Sequence, residues 1–172
     1  MLKNGEIDLL SDVSYTEERS TEMLYTSIPM GTEAYYIFVA HNEKEISGDN
    51  PSSLNGKRVG VAKDTIQNEF FKKWAQMHDV EVEIVEENGQ AEDSLAKLGT
   101  AYDAFVTMDV YGTPDTAIPI IKVGSSDFYF AVNKDRPDLQ AELDMALSKI
   151  QDENKYYDQQ LHDKYLKSTE TN

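Results

Sequence analysis

Asn4-Gly5-Glu6-Ile7-Asp8-Leu9-Leu10-Ser11-Asp12-Val13-Ser14-Tyr15-Thr16-Glu17-Glu18-Arg19 reads as a short buried strand, a polar turn and a capped helix start in immediate succession. Ile7, Leu9 and Leu10 supply the strand. The Ser-Asp-x-Ser turn after it offers hydroxyl, carboxylate and backbone groups where open α/β sheets place their ligands. Thr16 stands at an N-cap position, which puts Arg19 in the first turn of the helix. A cation there opposes the helix dipole, so helix stability does not account for it. Beside helix N–H groups, however, a guanidinium makes a good carboxylate receptor. The bland alternative is a surface ion pair with Glu17, Glu18 or Glu22.

Outward from this corner, Tyr35–Ala40 is a dense aromatic and β-branched run that predicts a strand. The polar segment His41–Ser53, with Gly48, Asp49, Asn50 and Pro51, predicts a linker or long loop. From Arg58 the pattern is regular: a strand over Arg58–Ala62, a helix from about Thr65 to His78, a strand over Glu81–Val85, a helix around Ala91–Leu98 and a strand over Asp103–Met108. Two consecutive βαβ units imply a parallel sheet covered on both faces. The first helix carries Ile66, Phe70, Phe71, Trp74 and Met77 on one side, which predicts a core stripe, and Asp64 and Gln67 have N-cap and N3 spacing. Pro114 and Pro119 mark an irregular region, followed by two strand-like runs, Ile120–Val123 and Phe128–Asn133. Asp135 and Pro137 open a helix with Leu139, Leu143, Ala146, Leu147 and Ile150 on one face, and a last helix presents Tyr157, Leu161 and Tyr165.

Bulk properties exclude several function classes. The chain has 172 residues with 40% hydrophobic content, enough for one good domain or two small lobes. Sixteen Lys and Arg against 32 Asp and Glu give a formal charge of −16, a field that repels nucleic-acid backbones and anionic lipid alike. With no cysteine there is neither a disulfide framework nor a thiolate metal site. His41, His78 and His162 lack metal-ligand spacing and lie near no strand-end serine, so no metal centre and no catalytic set is expected. No phosphate-cradling glycine loop is present. No stretch of about 18 apolar residues occurs, and the N-terminus lacks the pattern of a signal peptide.

Four motifs in sequence carry a family resemblance: Gly5-x-x-Asp8 leading to Thr16-x-x-Arg19, Tyr25-Thr26-Ser27-Ile28-Pro29, Leu54-Asn55-Gly56-Lys57-Arg58-Val59-Gly60-Val61, and Tyr102-Asp103-Ala104-Phe105-Val106. Together the chain resembles the bacterial extracellular solute-binding proteins of family 3, the polar amino-acid class with the periplasmic binding protein-like type II fold. The variants around Tyr15 and Met30 look most like domains that serve as sensors on signalling proteins. The resemblance implies an α/β fold with a complete lobe 2 over residues 42–126 and a partial lobe 1 from 1–41 and 127–172. In such a fold, Tyr35–Ala40 and Phe128–Asn133 would be the crossing strands that act as hinge for closure around ligand. It also implies an extracytoplasmic location, no cofactor, and a small polar ligand such as an amino acid or related amine or acid. The expected partner is a membrane transporter or a membrane signalling module.

Carried over residue by residue, the resemblance sets Asp12 and Ser14 against a ligand ammonium or carboxylate and makes Arg19 the carboxylate clamp. Lobe 2 would add Asp64 and Thr65 at the start of the Trp74 helix, and Asp109 would take the ammonium group. The sequence departs from the family where Asp64-Thr65-Ile66 replaces a Gly followed by two hydroxyl residues, and where Asp12 replaces a common serine. Asp109 also stands one place later than in the amino-acid-binding pattern. These changes make the site more acidic and favour a cationic or multiply aminated ligand. Relative to the family the chain begins late, so lobe 1 is expected to expose strand edges that a second copy could cover, giving a homodimer. Two other classes compete: an enzyme on the same fold, such as a small-acid dehydratase, and a phosphoacceptor receiver domain using Asp64 and Asp109.

Overall fold

The computed structural model describes residues 1–112, 115–153, 156, 160–161 and 164. The expectations that rest on Pro114, Tyr157, His162 and Tyr165 lie outside them. In chain order the elements are β1 (Leu9–Ser14), α1 (Glu17–Ser20), β2 (Met23–Tyr25), β3 (Gly31–Ala40), β4 (Arg58–Ala62) and α2 (Ile66–Met77). There follow β5 (Glu83–Glu87), α3 (Ala91–Leu95), β6 (Ala104–Met108), β7 (Ala117–Asn133) and α4 (Pro137–Glu153), with 3-10 turns at Pro51–Leu54 and Asp109–Tyr111. They form two compact units, Met1–Glu33 with Ser126–Asn172, and Ala34–Ser125. Strands β3 and β7 contribute to both.

In the unit Ala34–Ser125 the strands run in the order β7-β3-β6-β4-β5. Helical crossovers make β4 parallel to both neighbours, with Val59 opposite Ala104 on β6 and Ile84 on β5, while β3 runs antiparallel to β6. Period-two alternation divides the apolar side chains between the faces. Tyr35, Ile37, Val39, Val59, Val61, Ala104 and Val106 meet Phe71, Trp74 and Ala75 of α2 on one side. On the other, Phe38 and Phe105 meet Tyr102, Leu95 and Ala117. Full burial of a side chain such as Phe71 contributes about 1.5–3 kcal/mol. The expected stripe on α2 holds at Phe71 and Trp74 but not at its ends, because Ile66 and Met77 stay exposed while Asn68 and Ala75 are buried.

Several strand bounds differ from expectation: β3 starts at Gly31 and not Tyr35, β5 ends at Glu87 and not Val85, β6 starts at Ala104 and not Asp103, and two differences have local reasons. Strand β5 starts at Glu83, not Glu81, since Glu81 is tied to the preceding loop: its N–H donates to Asn55 Oδ1 (2.8 Å) and its carbonyl accepts from Gly56 N–H (2.8 Å). The runs Ile120–Val123 and Phe128–Asn133 are parts of one strand, β7. Gly124 breaks the apolar pattern because β7 passes so close to Phe70 that a Cβ there would lie 2.5 Å from the ring.

In the other unit β7 takes β1 and β2 as antiparallel partners, both pairing with Ala131 and Val132. Val13, Tyr25, Ala131 and Leu2 form its small core, with Ile7, Met23 and Tyr129 against it. Here the strand reading needs correcting. The buried Ile7–Leu10 strand and its polar turn are instead one exposed strand, Leu9–Ser14, in which Leu9 and Leu10 are 40% and 41% exposed and only Val13 is buried. Helix α4 fully buries none of its residues: on its predicted apolar face Leu139, Leu143 and Leu147 are partly buried, while Ala146 and Ile150 stay exposed. Polar bonds also fasten it: Asp144 accepts from Ser27 N–H (2.6 Å) and Oγ (3.0 Å), and Gln140 Nε2 donates to the Tyr25 carbonyl (2.5 Å).

Candidate functional site

The β1–α1 corner brings Asp12, Ser14 and Arg19 together on one short segment. Between Leu10, opposite Ala131, and Val13, opposite Tyr129, the two residues Ser11 and Asp12 face the single residue Phe130. That is a β-bulge, and it requires Asp12 to adopt φ +58°, a left-handed conformation that Asp tolerates better than most residues. The predicted turn is thus a bulge inside the strand. Its effect is to re-aim the chain just before Ser14 while Val13 stays in the core.

Thr16 is the N-cap, as the sequence suggests: its Oγ1 accepts from the Arg19 N–H (3.2 Å). Helix α1 is only the four residues Glu17–Ser20, however, so Arg19 also lies in its last turn and the opposed-dipole argument lapses. The guanidinium donates from Nη1 to the Ser14 carbonyl (3.5 Å). Among the described residues no carboxylate lies within ion-pair distance of it; Glu22 pairs with Lys3 instead. An exposed arginine held by a backbone carbonyl, with no carboxylate partner among the described residues of a chain with 32 Asp and Glu, has the chemistry to pair with an anion.

The Tyr25 side chain underpins this corner. Its hydroxyl donates to the same Ser14 carbonyl (3.3 Å), and its ring packs against Tyr15 and Tyr129. Burial raises the Tyr25 pKa, an effect that the Arg19 charge and the Thr16 N–H partly offset. Sequence reading missed Tyr25 and Tyr129 as parts of the site, because no local pattern announces that residues so far apart in the chain share one cluster.

In the unit Ala34–Ser125, Asp64 and Thr65 follow the C-terminal end of β4, and Asp109 follows that of β6. Since β4 and β6 are parallel neighbours, these residues mark the same end of the sheet, the end at which α/β sheets bind ligands. Asp64 is not the N-cap expected from its spacing. It takes φ +56°, and Thr65 is the N-cap instead. The Thr65 hydroxyl donates back to the Ala62 carbonyl (2.7 Å) and makes no capping bond, so the first-turn N–H groups of α2 are not satisfied by that side chain. Asn68, in that first turn, is buried with its Oδ1 unpartnered.

Comparison with known proteins places this architecture. The model describing bacterial extracellular solute-binding proteins, family 3, matches residues 1–168. The chain belongs to that family. It is a solute-binding domain with the mixed α/β, periplasmic binding protein-like fold, and its family consists of extracellular binding proteins. Among solved structures it is similar to the probable amino-acid ABC transporter extracellular-binding protein ytmK from Bacillus subtilis, at 21% identity and a TM-score of 0.81, over 96% of this chain and 73% of that one. It is also similar to a histidine kinase sensor domain resembling periplasmic binding proteins, at 21% identity and a TM-score of 0.64, over 96% of this chain and 72% of that one. An ancestral arginine-binding protein bound to arginine matches at 21% identity and a TM-score of 0.64, over 95% of this chain and 74% of that one. No curated protein sequence matches. No described helix is long and apolar enough to cross a membrane.

Proposed function

We propose that this family member binds a cationic amino acid or a closely related amine outside the cytoplasmic membrane, and passes its occupancy to a membrane transporter or signalling module without chemistry on the ligand. Arg19 takes the ligand carboxylate, with Ser14 beside it. Asp12, on the same segment, supplies negative charge that suits an ammonium or guanidinium group; in the unit Ala34–Ser125, taken by itself, Asp64, Thr65 and Asp109 are the candidate polar contacts at the C-terminal end of its sheet.

The observation that carries this reading is the guanidinium of Arg19, which has no carboxylate partner among the described residues although Glu17, Glu18 and Glu22 are its sequence neighbours. A formal charge of −16 adds to it, because that field concentrates cations and disfavours dicarboxylates. Similar structures of an ancestral arginine-binding protein bound to arginine and to glutamine support an amino-acid ligand. The transporter-associated and kinase-associated relatives support the two kinds of partner.

A thermal-shift screen of the protein against L-arginine, L-lysine, L-glutamine, L-glutamate and L-aspartate tests the reading, since a ligand bound only by the native state raises stability by RT ln(1 + [L]/Kd). The cationic amino acids should raise the melting temperature and the acidic ones should not. Stabilisation by glutamate or aspartate, with none by arginine or lysine, would overturn the ligand class.

A further inference from the structure

Three Asn-Gly pairs occur in the chain, Asn4-Gly5, Asn55-Gly56 and Asn88-Gly89. An asparagine side chain is open to attack by the backbone nitrogen of the next residue, and glycine obstructs that approach least because it has no Cβ and turns freely. The fold treats the three pairs differently. Asn55 Oδ1 accepts the Glu81 N–H (2.8 Å) and the Gly56 N–H donates to the Glu81 carbonyl (2.8 Å), so both reacting groups are engaged. At Asn4 the side-chain amide donates to Glu6 Oε1 (2.9 Å), and the Gly5 N–H donates to the Leu2 carbonyl (3.3 Å). Asn88 and Gly89 are both exposed, and neither the Asn88 side chain nor the Gly89 N–H has a hydrogen-bond partner among the described residues. Their neighbours on either side are anchored. The Glu87 carbonyl accepts the Lys63 N–H (2.9 Å) and its carboxylate pairs with Lys97 (3.0 Å), while the Gln90 carbonyl accepts the Ser94 N–H (3.0 Å). Nothing lies within 4 Å of a Cβ built at Gly89, so the pair has space to turn.

We propose that Asn88 is a site of spontaneous deamidation, selected by the fold from three pairs of the same sequence. The Gly89 N–H gives its proton to solvent base, the nitrogen bonds to Asn88 Cγ, the Cγ–Nδ2 bond breaks and ammonia leaves. Water then opens the five-membered imide at either carbonyl, leaving an aspartyl or an isoaspartyl residue and one more negative charge. Strand β5 runs parallel to β4 with Glu87 opposite Ala62, so the new carboxylate arises at the same end of the sheet as Asp64 and Thr65. The inference does not depend on which ligand the protein binds.

Peptide mapping by mass spectrometry during incubation of the folded protein in mildly alkaline buffer follows all three asparagines at once. Each conversion makes its peptide about 1 Da heavier, since ammonia is lost and water gained. Asn88 should convert at least about fivefold faster than Asn55, whose two hydrogen bonds must break before its groups can react, and should also lead Asn4. In the urea-unfolded chain the fold no longer distinguishes the pairs, so that lead should shrink. Gly89→Ala places a Cβ beside the attacking nitrogen and should slow conversion at Asn88 severalfold, with a thermal melt confirming that the variant is folded. A rate at Asn88 no greater than at Asn55 or Asn4, or a lead that persists undiminished in urea, would overturn the inference. An unaltered rate in Gly89→Ala would overturn it as well, by removing the Gly89 nitrogen from the reaction.

Discussion

Replacing Gly60 by alanine should destabilise the unit Ala34–Ser125 by about 1–2 kcal/mol. Gly60 lies in the centre of β4, on the face opposite Val59 and Val61, and an added Cβ would stand 2.6 Å from Phe105 Cδ2 and 2.9 Å from Tyr102 Cδ1 and Cε1. Carbon atoms pack best at about 3.5–4.0 Å, so these contacts overlap by roughly 1 Å. Neither ring has room to withdraw: both are buried, they stack on each other at 5.4 Å, and the Tyr102 hydroxyl is fixed to the Ser94 carbonyl (2.7 Å). Overpacking of this kind costs about 1–3 kcal/mol. The gain from a stiffer unfolded chain offsets about 0.4–1 kcal/mol of that. Urea unfolding followed by the fluorescence of Trp74, the one tryptophan in the chain, reports directly on this unit. Gly89 is the control, since nothing lies within 4 Å of its added Cβ and its backbone is not left-handed, so Gly89→Ala should be neutral or slightly stabilising. A Gly60→Ala protein within about 0.5 kcal/mol of wild type would refute the packing described for this face.

Three further expectations follow from particular residues. Burial pushes the Asp103 carboxyl up, but the backbone N–H and guanidinium of Arg58 outweigh it and hold the pKa below the ordinary value. A pKa lower in the folded state stabilises above the unfolded value of about 3.9 and is lost as pH falls through the folded value. Asp103→Asn should therefore be less stable than wild type at pH 7, with the gap narrowing below about pH 4; a gap that stays constant down to acid unfolding would contradict this. At the bulge, Asp12→Asn should leave stability within about 0.5 kcal/mol, whereas Asp12→Val should cost about 1–2 kcal/mol because a β-branched residue resists φ +58°, and equal stabilities would remove the bulge from the account. Tyr25→Phe removes the hydroxyl that holds Ser14 and should cost about 0.5–1.5 kcal/mol, measured by denaturant unfolding, with no loss counting against that bond.

The regular part of the fold was legible from the sequence because hydrophobic period and turn chemistry agree there. Arg58–Ala62 is a strand at the predicted bounds, and the Phe71–Trp74 stripe is a core stripe. Legibility fails where long-range contacts override local signals. Gly124 and the polar residues after it look like a break, yet β7 runs through them. Leu9 and Leu10 look buried, yet a strand with β7 on one side leaves them exposed. Of the candidate site, Arg19 is singled out in the sequence by the Thr16-x-x-Arg19 pattern, whereas the dipole argument for it lapses in a helix of four residues. The aromatic support around Ser14 is not legible there, since Tyr15, Tyr25 and Tyr129 meet only after β1 and β2 have docked on β7. The left-handed backbone at Asp12 and Asp64 was hidden for a similar reason: an aspartate fits a cap, a turn or a bulge equally well by type.

The central claim is that Arg19, which has no carboxylate partner among the described residues, is the ligand's carboxylate contact. Titration calorimetry of L-arginine against the wild-type protein and Arg19→Ala tests it most directly. Loss of a charge-assisted contact that ligand binding desolvates should weaken affinity by at least about tenfold, or 1.4 kcal/mol, with the melting temperature of the free protein unchanged. Equal affinities in the two proteins would contradict it.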